Sequence, residues 1–114
     1  MATFNKFQTF VEHVAEKVHN LGADTLKVML TNTAPVATNT LKADITEIAA
    51  GNGYTAGGAT PAITSSAQTS GVYKLVLADV VFTAAGGSIG PFRYAVLYND
   101  TPASPLKPLI GWHD

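Results

Sequence analysis

The chain has 114 residues, the length of one domain, and only 13% of them are charged, with seven basic and eight acidic residues for a formal net charge of −1. That balance lacks the positive excess of a nucleic-acid binder, and the absence of cysteine excludes disulfides, thiolate metal sites and thiol nucleophiles. No run approaches the ~18 apolar residues of a membrane span, and the N-terminal region mixes Phe4, Phe7 and Phe10 with Lys6, Glu12 and Glu16, unlike a secretory leader. The expectation is one domain over 1–114, made in the cytosol or built into a larger assembly.

In residues 3–22 the side chains of Phe4, Phe7, Val11, Val14, Val18 and Leu21 recur at helical spacing. They predict an amphipathic helix over 1–22, capped by Thr3, ended by Gly22, and packed along that stripe. A β module over 23–114 follows. From Thr25 to Thr31 the period changes to two, with Leu26, Val28 and Leu30 assigned to the buried face and Thr25, Lys27 and Thr31 to the polar one. Asn32 to Thr40 reads as a loop, and Leu41 to Ala50 fits a short helix or a strand equally. Tyr73 to Thr83 reads as one long strand with a β-bulge at Ala78-Asp79. Phe92 to Tyr98 is apolar on both faces, as a central strand would be, and Leu109 to Trp112 closes the chain as a short strand. The fold class expected is mainly β, a jelly-roll-like β-sandwich with an N-terminal amphipathic helix.

The chemistry-bearing residues do not spell out a reaction. His13 and His19 lie six apart, on different sides of a continuous helix, where they would not share a metal ion. Glu12 and Glu16 fall on a solvated helix face that gives no reason for a raised carboxyl pKa. No Gly-x-Ser-x-Gly elbow is present, and the glycines of 51–58 lack the lysine and hydroxyl of a phosphate loop. The expectation is a protein that is not an enzyme and uses no cofactor or metal.

The stretch GNGYTAGGATPAITSSAQTSG, residues 51–71, carries no charge. Small and hydroxylic residues lose little side-chain entropy on contact, and Tyr54 offers an amphipathic anchor. The stretch therefore reads as an extended segment made to be covered by another protein. Tyr54, Thr55, Gly57 and Gly58 of this stretch, with Trp112 near the end of the chain, are the candidate interface residues, the glycines because they let a partner's backbone approach closely.

Three segments carry a resemblance to a family. LKVMLTNTAP, GNGYTAGG and IGPFRYAVLYNDT, within a similarity over nearly the whole chain, resemble small virion proteins of tailed double-stranded DNA bacteriophages, the capsid decoration or cement proteins. The resemblance implies a module on the outer capsid surface that bridges subunits of the major capsid protein, commonly as a homodimer, without direct contact to nucleic acid or membrane. The alternative from another class is a carbohydrate-binding or host-recognition module of the virion, with Tyr54 and Trp112 as stacking platforms.

Overall fold

A computed structural model describes residues 4–114, which are mainly β, with 37% of residues in strands and 9% in helix. Six strands and one short helix follow in the order β1 (Phe4–Lys6), α1 (Thr9–Ala15), β2 (Leu26–Thr31), β3 (Ile63–Thr69), β4 (Val72–Leu77), β5 (Tyr94–Asn99) and β6 (Leu109–His113). The strands form an antiparallel four-stranded sheet in the order β1-β6-β5-β2 and a separate antiparallel hairpin, β3-β4.

The long N-terminal helix is not formed. Phe4–Lys6 pairs instead with β6, Phe4 opposite His113 and Lys6 opposite Gly111. Helix α1 has seven residues, starts after Gln8 without a side-chain cap, and ends where Lys17 turns to a positive φ of 65°. Thr3, expected as the cap, lies outside the described residues. Three ladder residues at a sheet edge outweigh a helical propensity that short helices cannot sustain alone. The apolar stripe is split as a result: Phe7 is fully buried, whereas Val11 and Val14 are 54% and 46% exposed.

Strand β5 is central, between β6 and β2, as its two apolar faces require. On β2 the face expected to be buried is buried, and the face expected to be polar is largely buried as well. Met29 stands opposite Val96 and Lys27 opposite Tyr98, and it is this face that joins the core of Phe7, Met29, Val96, Tyr98 and Leu109, with Ile45 and Trp112 packed against it. Lys27 is compatible with that face because its stem lies along the sheet while its ammonium reaches Asp100 at 3.8 Å. Thr31 is satisfied there by donating its hydroxyl to the Thr46 carbonyl. Leu26 and Leu30, on the opposite face, are buried as well. The sheet is thus covered on both sides, which alternation alone does not reveal.

The segment expected as one strand to Thr83 stops at Leu77, and 78–93 runs without regular structure. The register irregularity lies in the partner strand, between Ile63 and Ser65, and not at Ala78-Asp79. Leu41 to Ala50 is neither a helix nor a strand throughout: a 3-10 turn at Lys42–Asp44 is followed by a single bridge from Glu47 to Thr31. On the hairpin, Tyr73, Leu75 and Leu77 look toward the first sheet. With Phe4, Leu97 and Ile110 they line a cavity of about 430 Å³.

This distribution predicts unequal effects along the N-terminal stripe. Phe7→Ala is expected to cost about 3–5 kcal/mol in urea unfolding. Val14→Asp, on the exposed side of α1, is expected to stay within about 0.5 kcal/mol.

Candidate functional site

Residues 51–58 were expected to face a partner, and the structure turns them inward. Tyr54 is buried, with 3% of its surface exposed. Its hydroxyl accepts a hydrogen bond from the Leu30 N–H at 3.1 Å and donates one to a carboxylate oxygen of Glu47. The same Glu47 oxygen accepts from the Gly57 N–H at 2.6 Å, while the other oxygen meets the Lys42 ammonium at 3.2 Å. Tyr98 then donates its hydroxyl to the Gly57 carbonyl at 2.6 Å. Three groups, from Lys42, Tyr54 and Gly57, therefore meet on one carboxylate, and Leu30 and Tyr98 are joined to it through Tyr54 and Gly57.

Sequence reasoning missed Glu47. A lone acidic residue in an ambiguous segment gives no signal until tertiary structure supplies its partners. Burial by itself would raise its carboxyl pKa, but the hydrogen bonds from Tyr54, Gly57 and Lys42, with the lysine charge, outweigh that and hold it below the usual range. The tyrosines move the other way. Burial, then the Glu47 hydrogen bond and charge, raise the Tyr54 phenol. Burial, then the charges of Asp100 and Glu47, push Tyr98 up to about 12.

Gly58 has an internal role too. It sits at φ 84°, and a Cβ there would collide with the Val28 carbonyl. Its neighbour Ala59 exchanges two backbone hydrogen bonds with Val28, at 2.9 and 3.0 Å, against the free edge of β2. Gly57 at φ 93° turns the chain so that its N–H and carbonyl reach Glu47 and Tyr98. The reading of Tyr54 as an interface residue is therefore corrected, since it is buried within its own chain, and at the half-buried Gly58 the close backbone approach is toward β2 of the same chain. Thr55 is exposed, on a turn closed by the Gly58 N–H to its carbonyl. Trp112 is half-buried on β6, its ring 4.6 Å from that of Phe7. Neither Tyr54 nor Trp112 forms the open stacking platform that a carbohydrate module would use.

A second polar cluster joins the turn after α1 to the end of β5. The buried Asn99 amide donates to Asp24 at 2.7 Å and faces the His19 Nδ1 at 3.0 Å, while its carbonyl oxygen accepts from the Thr101 N–H. Thr101 and Asp24 fix the direction of the amide, so Nδ1 of His19 is the acceptor and the ring proton sits on Nε2. Burial first, then the nearby His13, lower the His19 pKa to about 4, against a smaller opposing effect of Asp24. Because α1 ends at Ala15, the His13 and His19 rings meet at 5.8 Å between centroids, which a continuous helix would have prevented. No set of three or more His, Asp, Glu or Cys side chains suited to a metal ion converges among the described residues.

Large apolar side chains are exposed at several places, among them Val11 and Val14 of α1, Val36 and Leu106. Val72 and Tyr73 stand at the tip of the hairpin, 67% and 49% exposed, and Val81 and Phe92 in the irregular segment after it, 80% and 47% exposed. No helix among the described residues is long and apolar enough to cross a membrane. Comparison with protein-family models, curated proteins and solved structures finds no match to this chain.

Two outcomes follow from these clusters. Tyr54→Phe leaves the Leu30 N–H and the Glu47 carboxylate each short of a partner and is expected to cost about 1–3 kcal/mol in chemical unfolding. The His19 ring has its ordinary pKa of 6.5 in the unfolded chain and about 4 in the folded one, so between these values the unfolded state holds the extra proton. Its contribution to stability is complete above pH 6.5 and is lost as pH falls toward 4. Melting temperatures of the wild type should drop through that window, and His19→Gln should show a flatter profile there.

Proposed function

We propose that this protein is a capsid decoration protein of a tailed bacteriophage, bound to the outer surface of the virion, where it bridges major capsid protein subunits and associates with a second copy of itself. In this reading the four-stranded sheet and the hairpin are the two halves of a jelly-roll-like β-sandwich. The observation that carries the reading, beside the sequence resemblance, is the pairing of a rigid, internally hydrogen-bonded body with exposed Val72, Tyr73, Val81 and Phe92. Large apolar side chains with few charges around them make the centre of a protein–protein interface.

The mechanism is one of linkage. A protein that binds assembled neighbouring subunits, and not free ones, stabilises the shell by the free energy of its own binding. Repetition over a symmetric lattice turns modest contacts into a cage-wide effect. The physical demand on such a protein is a fixed shape, and the Glu47 and Asn99 clusters supply it by tying loops to strands.

The test is addition of the purified protein to undecorated capsids of the phage that encodes it. Saturable, stoichiometric binding that raises the temperature of capsid disruption is the expected result, and absence of binding refutes the reading. Val81→Glu, placing a charge at the most exposed apolar site, should weaken capsid binding about tenfold or more while leaving the protein's own melting temperature unchanged.

A further inference from the structure

Each sheet edge has an unpaired row of N–H and C=O groups, and folded proteins guard such edges. Three of the edges here are guarded. The outer edge of β2 is closed by bridges to Ala59 and Glu47. Strand β1 is three residues long and contains Lys6, and β4 contains Lys74. Strand β3 is different. Ile63–Thr69 reads ITSSAQT, without a charge, a proline or a glycine, and every side chain from Thr64 to Thr69 is exposed. Its hydrogen-bonding edge away from β4 has no ladder partner among the described residues.

The inner face of the hairpin is already committed to its own chain. Ser66 shares a hydrogen bond of 2.7 Å with the Tyr73 hydroxyl, and its side chain packs against Gly22. What the hairpin leaves open is the β3 edge and the opposite face, where Ser65, Ala67 and Thr69 stand across from Val76, Lys74 and Val72.

We propose that the β3 edge pairs antiparallel with the β3 edge of a second copy across a two-fold axis, joining two hairpins into a continuous sheet of order β4-β3-β3-β4. A second copy fits for three reasons. An antiparallel strand is its own partner under two-fold symmetry, which is the isologous arrangement of dimers. Residues 51–71 carry no charge, so two copies of this edge meet without repulsion. The area also agrees. The chain exposes 6647 Å², where a folded monomer of 11.9 kDa exposes about 5,950 Å². The excess of roughly 700 Å² is surface of the whole chain beyond what a folded monomer of this mass leaves open. An isolated two-stranded hairpin is marginal in water, and pairing converts it into four strands. This inference rests on the self-association within the function proposed above and gives it a location.

The chain has no cysteine, so single cysteines report contacts cleanly. Two copies of one position come within disulfide reach, ~4 Å between Cβ atoms, only beside the two-fold axis. The experiment places one cysteine at each of 64–69 in turn in the full chain, oxidises mildly, and reads dimers on non-reducing gels. In parallel the wild type and a Ser65→Lys/Ala67→Lys variant are sedimented. The expected result is a wild-type dimer, cross-linking that peaks at one or two positions and fades on either side, and a lysine variant whose dimer is weaker by about tenfold or more at unchanged melting temperature. A wild-type monomer at high concentration overturns both the self-association and this inference, but not capsid binding, which the Val81→Glu comparison tests separately. A wild-type dimer that cross-links nowhere along 64–69, or that the two lysines leave intact, overturns only the β3 location.

Discussion

The Glu47 carboxylate is the constraint on which the arrangement of loops depends. Its side chain is 15% exposed, and its two oxygens collect Tyr54, Gly57 and Lys42. Through Tyr54 it reaches the Leu30 N–H of β2, and through Gly57 it reaches Tyr98 of β5. A partly buried charge is tolerated only when its lone pairs are met, and here the partners that meet them are the segments that would otherwise be free. The loop from 51 to 58 is therefore a clasp over the edge of the main sheet. It extends to the far segment as well, since the Asn52 carbonyl accepts from Ala85 N–H and its amide donates to the Ser88 carbonyl.

A covered sheet explains how so few charges suffice. With Met29, Val96 and Tyr98 on one face and Leu26 and Leu30 buried on the other, the sheet has little surface left to solvate. Two polar clusters meet the last two residues of β5: Tyr98 joins the clasp, and Asn99 joins Asp24 and His19. Rigidity is thereby concentrated in the four-stranded sheet and its loops. The hairpin and the irregular 78–93 segment hold the two most exposed large apolar side chains, Val72 and Val81.

That division suits a protein that works by surface. The body maintains shape through hydrogen bonds that no partner needs to complete. The projecting parts offer apolar contact and an unguarded strand edge, the two features by which protein surfaces are recognised without a cleft. In the proposed decoration role they would serve different partners, the apolar segment the capsid and the strand edge a second copy.

Sequence by itself determined the strands that carry the core. Alternation in Thr25–Thr31, two-sided hydrophobicity in Phe92–Tyr98 and the short run at Leu109–Trp112 are local patterns of the kind the pleat requires, and strands form there at Leu26–Thr31, Tyr94–Asn99 and Leu109–His113. It also determined that 51–71 is small and uncharged, though only Ile63–Thr69 of that stretch is a strand. Tertiary structure decided the rest. A helical stripe from Phe4 to Leu21 lost its first turn to β6 because a strand edge offered ladder bonds that the periodicity could not anticipate. That the Met29 face of β2 is buried too depended on Phe7 and Leu109, distant in sequence. Trp112 packs on Phe7 for the same reason. Gly58 and Tyr54 show the cause most plainly: a glycine beside an aromatic signals that something approaches closely, but only the folded chain specifies that it is Val28 and Glu47, from the same molecule.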